Sequence, residues 1–313
     1  MCIRDREQRP MPWRQNPSAY STWISEMMLQ QTQVVTVIPY FNRFIKNIPD
    51  LETLANFENQ KLIKLWVGLG YYSRARNLKK TAQLVVKKFN KKLPSNYLEL
   101  KSLPGIGDYT ASAISAIAFN KRIIPLDGNI ERVLKRYLYL KKENEINKEN
   151  LIKKKKIFGY SNRASDYAQA LMELGALICK PNNPHCEQCP ISNKCIALKK
   201  KDFLLTKIKK KNNNKYYLLK VYKDKSKYLL IKNTKFNFLK NFSIFPMQEL
   251  SKPLSSTDIV NFKMSNMNMN IKIEHKNKVG SLPTSHWIDP KKLKNYTLPT
   301  FTKKIVRYLE SNK

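Results

Sequence analysis

The sequence predicts a mainly α-helical domain over residues 1–198, a Lys-rich linker over 199–214 and a smaller α+β domain over 215–313. Two observations carry that expectation. From residue 20 to residue 198 apolar side chains recur at the spacing that lines one face of a helix. Beyond the linker they alternate with polar ones, the period of a strand with one buried face.

Trp23 with Met27, and Ile24 with Met28, are i,i+4 pairs of a first long helix, and Val34, Val35, Ile38 and Phe41 continue the pattern in a second. Further helical stretches fall near 62–66, 74–89, 108–119, 130–140 and 167–178. Loops carrying Pro49, Gly68, Gly70, Pro94, the stretch 104–107 and Gly128 separate them. After the linker, Tyr217, Leu219 and Val221 read as one strand, Tyr228 to Ile231 as another, and Met267, Met269, Ile271 and Ile273 as a third. A last helix falls near 300–309.

With 42% hydrophobic residues the chain can bury a sizeable core. Its 59 Lys and Arg against 23 Asp and Glu leave a formal charge of +36, a field that draws polyanions, of which nucleic acid is the commonest. Lys, Asn and Ile are all plentiful, as an AT-rich genome would also produce, so charge alone does not settle the partner. No apolar run approaches a membrane span, and residues 1–6 have no apolar core after their charges, so a soluble cytoplasmic protein is expected.

Four of the five cysteines form Cys179-x6-Cys186-x2-Cys189-x5-Cys195, with Pro181, Pro184 and Pro190 between them, while Cys2 stands apart. Clustered thiols in a cytosolic chain suit a metal rather than disulfides. Four thiolates on one turn-rich loop fit a tetrahedral zinc or a cubane iron–sulfur cluster, and composition does not choose between them. Lys194, Lys199 and Lys200 place positive charge beside the loop, suited to phosphates.

Leu103-Pro104-Gly105-Ile106-Gly107 lies between two helical stretches. Its glycines allow a tight turn whose N–H groups point outward at the next helix's N-terminus, where an anion can sit; an ordinary interhelical turn is the plainer alternative. Asp127 precedes the helix starting near Ile130. It reads either as a turn acid, with Asn129 as the cap, or as a carboxylate at the mouth of a cleft. Glu26, flanked by Met27, Met28 and Leu29, is either a surface charge or a partly desolvated carboxyl. Desolvation would raise its pKa and let it donate a proton near neutral pH.

The cysteine spacing together with the hairpin resembles the endonuclease III superfamily of helix-hairpin-helix DNA glycosylases. The string from Trp23 to Gln33 resembles its adenine-specific branch, the MutY-type adenine DNA glycosylases. Blocks at 11–14 (MPWR), 37–41 (VIPYF), 65–78, 103–111, 126–134 and 169–179 follow in that family's order, so the resemblance covers nearly all of 11–198.

The resemblance implies a helix-hairpin-helix glycosylase domain with a [4Fe–4S] cluster on Cys179, Cys186, Cys189 and Cys195, followed by a Nudix-like domain. It implies removal of adenine paired with 8-oxoguanine or guanine in double-stranded DNA, by a monomeric bacterial enzyme acting at the nucleoid. Glu26 would protonate the adenine, and Asp127 would stabilise the cationic sugar that develops as the glycosidic bond breaks. Leu103, Gly105 and Gly107 would hold the DNA backbone. Bifunctional relatives carry at position 109 a Lys that forms a Schiff base with the sugar. Here it is Tyr109, which implies base removal without strand cleavage and a tyrosine lining the sugar site. Gln31 and Tyr71 match residues that enter the duplex when adenine is flipped out. Arg14 and Thr32 match positions near the opposing 8-oxoguanine or the adenine pocket, and Glu173 matches a residue bonded to adenine. Without the family, Gln31 and Thr32 read as helix caps and Tyr71 as core.

In the second domain the stretches 218–233 and 239–250 resemble the opening strands of the family's 8-oxoguanine-reading domain, and 286–305 resembles its end. No Nudix hydrolase signature is present. The family's Phe-Ser-His recognition triplet has two counterparts, Met264-Ser265-Asn266 and Thr284-Ser285-His286. The first precedes a strand, as in the family, so Ser265 and Asn266 are the expected lesion contacts; Asn offers both a donor and an acceptor. Residues 1–9 are short and charged where the family has a helix, which implies an incomplete or displaced start. A thymine or oxidised-pyrimidine glycosylase, and a non-catalytic iron–sulfur DNA-binding protein, are the rival readings. Tyr109, the Glu26 string and the second domain count against the first, and the two placed carboxylates against the second.

Overall fold

Ser18 opens the central helix with a reciprocal pair of bonds: its Oγ accepts from Ser21 N at 2.9 Å, and Ser21 Oγ accepts from Ser18 N at 2.9 Å. The helix it starts, α2 (Ala19–Leu29), follows the short α1 (Pro12–Gln15). Trp23, Ile24, Met27 and Met28 are each at most 1% exposed, so α2 is enclosed by protein on nearly every side. In the computed structural model, residues 9–15, 17–205, 213–251, 259–264, 267–280, 282 and 284–311 are described.

Around α2 stand α3 (Val34–Asn47), α4 (Leu51–Asn56), α5 (Asn59–Trp66), α6 (Ser73–Lys88), α7 (Tyr97–Ser102), α8 (Asp108–Ile117), α9 (Gly128–Tyr137), α10 (Lys148–Lys154), α11 (Ala164–Glu173) and α12 (Ile196–Lys199). The Asp50 side chain caps α4 by accepting from Thr53 N at 2.7 Å. α3 buries Val37, Phe41 and Phe44 on one face and turns Val35 outward. α11 runs straight into one π-helical turn, Leu174–Ile178, which delivers Cys179. Helix α10 lies in a stretch so rich in lysine that its apolar period is faint; it is anchored by Leu151 and capped by Asn147, whose Oδ1 accepts from Asn150 N at 2.8 Å.

The Cα positions divide the chain into two compact units, Met1–Leu65 with Ser73–Ile208, and Trp66–Tyr72 with Lys209–Lys313. Trp66–Tyr72 therefore groups with the second unit, although its sequence neighbours belong to the first.

The second unit is a mixed sheet in the order β3-β2-β1-β6-β5, formed by β1 (Asn213–Asp224), β2 (Lys227–Lys232), β3 (Ser243–Ile244), β4 (Met247–Leu250), β5 (Ile259–Met264), β6 (Met267–Lys276) and β7 (Ser285–Ile288). β4 pairs with β1, and β7 with β2. Among the described residues the β1–β6 pair alone is parallel, with Asn213 opposite Met267 and Tyr217 opposite Ile271; the other pairs are antiparallel. Alternation along β1 and β6 sends Tyr217, Leu219, Met269 and Ile271 into one core with Phe301, Ile305, Val306 and Leu309 of α13 (Thr300–Ser311). Pairing of β5 with β6 closes at Met264 opposite Met267; Ser265 and Asn266 lie outside the described residues. Among the described residues no helix is long and apolar enough to cross a membrane.

Candidate active site

Helices α1, α2, α8, α9 and α11 of the first unit, with the turn after α2, bring polar side chains to one cleft of about 1410 Å³, lined among others by Arg14, Glu26, Gln31, Tyr109, Asp127 and Glu173. α2 carries Glu26, which is 6% exposed. α8 carries Tyr109, whose hydroxyl donates to Glu26 Oε2 at 2.7 Å. Asp127 stands at the start of α9.

Burial is the main reason the Glu26 carboxyl is pushed up to about 7. The nearby Asp127 charge raises it further, while the Tyr109 hydrogen bond and Arg14 pull it back. Because Oε2 accepts the tyrosine proton, Oε1 is left to carry the acid's own. Burial and the neighbouring carboxylates hold the Tyr109 hydroxyl well above the usual tyrosine range, so it stays a donor.

Asp127 is itself the N-cap of α9. Its Oδ1 accepts from Ile130 N at 2.7 Å, and its Oδ2 accepts from Asn129 Nδ2 at 3.0 Å. The alternative that made Asn129 the cap is thereby corrected: the helix begins at Gly128, two residues earlier than the apolar pattern suggested, and Asn129 lies within its first turn. Burial raises the Asp127 carboxyl, and hydrogen bonds from the Ile130 backbone and from the Asn129 side chain and backbone, with the Arg132 charge, work against that shift. The N-terminus of a helix favours its ionised form.

Glu173 closes another side of the cleft. It is fully buried and held by three bonds, Arg9 Nε to Oε2 at 2.8 Å, Arg9 Nη2 to Oε1 at 3.2 Å and Arg14 Nη2 to Oε1 at 2.8 Å. Gln31 is exposed with φ +57°, and Thr32 is half-buried. Tyr71, with φ +47° and 41% exposed, belongs to the segment that groups with the second unit.

The hairpin joins α7 to α8. Gly105 has φ +79°, and a Cβ there would stand 2.7 Å from Asn77 Nδ2. Thr81 Oγ1 donates to Pro104 O at 3.0 Å and fixes the turn from behind, with Leu103 buried beneath it. Asp108, the first residue of α8, accepts from Tyr97 OH at 2.9 Å and pairs with Lys101 at 2.6 Å and Lys148 at 2.8 Å. Those three donors hold its carboxyl far below the usual range.

Cys179, Cys186, Cys189 and Cys195 line a second, small cavity together with Arg136. Arg136 Nη1 lies 3.4 Å from Cys179 Sγ and donates to Lys180 O at 2.6 Å, while Nη2 donates to Pro181 O at 2.7 Å. Burial first, then the neighbouring thiols, raise the Cys186 thiol; burial likewise raises that of Cys189. Among the described residues no three His, Cys, Asp or Glu side chains close on one point tightly enough to hold a single metal ion. The four thiols line one cavity, with a guanidinium beside them.

Several functional side chains carried no sequence signal, because their partners are backbone groups far away in the chain. Arg132 Nε donates to Cys179 O at 2.8 Å, and its Nη2 reaches both Gly175 O at 2.5 Å and Asn129 Oδ1 at 2.9 Å. Gly175 permits this close approach, since a Cβ there would lie 2.6 Å from Asn129 Cβ. Arg74 was missed in the same way, and Arg9 because its partner, the Glu173 carboxylate, lies 164 residues away.

Residues 24–156 match the HhH-GPD superfamily base excision DNA repair protein model. The chain is 42% identical over 231 residues to an adenine DNA glycosylase of Buchnera aphidicola subsp. Baizongia pistaciae, covering 74% of this chain and 62% of that one. It is 38% identical over 242 residues to the adenine DNA glycosylase of Buchnera aphidicola subsp. Schizaphis graminum, covering 75% of this chain and 70% of that one. Among solved structures it is similar to a thermostable thymine-DNA glycosylase, with a TM-score of 0.57 at 27% identity over 63% of this chain and 92% of that one. A trapped endonuclease III–DNA covalent intermediate shares the fold, at 21% identity, a TM-score of 0.54, and 64% and 92% coverage. The chain belongs to the HhH-GPD superfamily of base excision DNA repair proteins and, within it, to the family of the adenine DNA glycosylases.

Proposed function

We propose that this protein removes adenine from adenine:8-oxoguanine and adenine:guanine pairs in double-stranded DNA by hydrolysing the N-glycosidic bond. The observation that carries the reading is the buried Glu26 carboxyl, pushed up to about 7 and sharing one cleft with Asp127. Two acids with different surroundings are what a reaction needs when it must protonate a leaving base and stabilise a cation.

The basic surface and the hairpin turn around Leu103, Gly105 and Gly107 hold the phosphate backbone. Gln31 fills the space that the flipped adenine leaves in the duplex, with Thr32 beside the opposing base, and Tyr71 is a further residue that enters the duplex. In the cleft, Arg14 offers donors and Glu173 an acceptor to the base edge. Glu26 gives its proton to a ring nitrogen and the bond to the sugar breaks. Asp127 stabilises the oxocarbenium-like sugar, and water completes an abasic site and free adenine. Excision from adenine:8-oxoguanine and adenine:guanine duplexes, set beside matched and thymine-containing duplexes, tests the reading; no adenine release from either mispair would end it.

Tyr109 offers no amine for a Schiff base. Borohydride treatment during turnover should therefore trap no covalent protein–DNA adduct, and a good yield of adduct on a denaturing gel would contradict this assignment.

Cys179, Cys186, Cys189 and Cys195 hold a [4Fe–4S] cluster, which when bound fixes the loop in a structural role. Arg136 and Arg132 orient that loop through its carbonyls. Protein purified without oxygen should contain iron and acid-labile sulfide in equal amounts, and Cys189→Ser should lower both; zinc without sulfide would refute the cluster. The second unit serves as a Nudix-like reader of 8-oxoguanine through Ser265 and Asn266, and the enzyme acts as a monomer in the cytoplasm at the nucleoid.

A further inference from the structure

α2 carries Glu26 to the cleft and ends at Leu29, and the chain directly beyond it turns sharply. Gln31 takes φ +57° there, a conformation that a residue with a Cβ keeps only when its surroundings impose it. The last carbonyls of a helix have no partner within it. Here Arg74 of α6, only 5% exposed, supplies one from outside. Its Nη1 donates to Met27 O at 3.0 Å, Met28 O at 2.7 Å and Gln30 O at 2.7 Å, and Nη2 lies 3.4 Å from Thr32 Oγ1. From α8, Thr110 Oγ1 accepts from Gln30 Nε2 at 3.1 Å.

A cation at the negative end of a helix is electrostatically favoured. Helix capping alone, though, would not need bonds to both the helix end and the turn after it. All three carbonyls converge on Nη1, whose two protons they share, and the second arm of the fork, Nη2, reaches on to Thr32, so one planar group spans the helix end and the turn after it. We infer that Arg74 is a positioning residue, which sets the Gln30–Thr32 turn in advance so that Gln31 meets the duplex without having to be ordered on contact. This inference rests on the reading that Gln31 enters the duplex.

Arg74→Lys keeps the charge and removes the second arm that reaches Thr32. In a Glu26→Gln background, which stops chemistry, 2-aminopurine placed opposite 8-oxoguanine brightens when it is flipped out. The Arg74→Lys protein is expected to bind matched duplex like its parent, to lose about tenfold in its preference for the mispair (about 1.4 kcal/mol), and to lose most of the brightening. In an otherwise native chain, its excision rate should keep the wild-type pH midpoint, because Glu26 stays in place. A folded Arg74→Lys protein with unchanged preference and brightening would overturn the inference. If that variant does not fold, hydrogen exchange in the wild-type protein decides. The Thr32 amide, which donates to Leu29 O at 3.1 Å, should be protected before DNA is added, and exchange at the unprotected rate would overturn the inference as well. A protein with native Arg74 that neither prefers the mispair nor brightens 2-aminopurine would instead sink the functional reading.

Discussion

Glu26→Gln is expected to slow adenine release by about 10²–10⁴-fold, the usual worth of a positioned general acid, with duplex binding retained. Gln fills the same volume and can still accept from the Tyr109 hydroxyl, but it carries no transferable proton. The same residue sets a pH profile: only protonated Glu26 can act, so the single-turnover rate of the native protein should fall as pH rises through about 7. That limb should vanish in Glu26→Gln, and a variant turning over adenine normally would show that the acid lies elsewhere.

Stability follows from the same shift. The folded-state value, about 7, lies above the ordinary 4.5, so the native state binds this proton more tightly than the unfolded chain. Folding therefore bears no penalty below pH 4.5, a growing one up to pH 7, and above that a full penalty on the order of 3 kcal/mol. Glu26→Gln should raise the melting temperature at pH 8 and change it little at pH 4.5. Equal effects at both would mean that the carboxyl is not desolvated.

Asp127→Asn is expected to cost about 10²–10³-fold in the single-turnover rate, the typical loss when one stabilising group is taken from a developing charge. Asn caps a helix as well as Asp does, so the bond from Ile130 N survives and the melting temperature should stay near that of the native protein. Asp127→Ala would lose the cap too, at about 1 kcal/mol. Comparing the two separates the charge from the fold: a rate lost only in the Ala variant would make Asp127 a helix cap and nothing more.

How much of this was legible in the sequence depended on how local the cause was. Helix faces built on pairs such as Trp23 and Met27 repeat within a turn, and the chain shows them directly. The hairpin and the cysteine loop are contiguous strings, readable for the same reason. Glu26 could be suspected of desolvation from its methionine neighbours, but the hydroxyl that grips it comes from 83 residues away. The π turn before Cys179 left no trace in the apolar pattern, and the crowding of Asn129 against Gly175 within it comes from a residue 46 positions earlier in the chain. Arg74, Arg132 and Arg136 were invisible for a related reason: their main acceptors are carbonyls, and every residue has one.

Asp108 gives the hairpin a character that its lysines alone do not suggest. The molecule carries a formal charge of +36, yet at this point Lys101 and Lys148 are already spent on an internal anion. If the hairpin takes a DNA phosphate as proposed, that phosphate would displace a carboxylate instead of meeting bare ammonium groups. Binding at the hairpin would then be an ion exchange within the protein, freeing fewer counter-ions than a census of nearby lysines would give. Long-range attraction to DNA is undiminished by so local a pairing. A grip at the hairpin would, by contrast, be moderated from within, which would favour a search that can let go of each undamaged site.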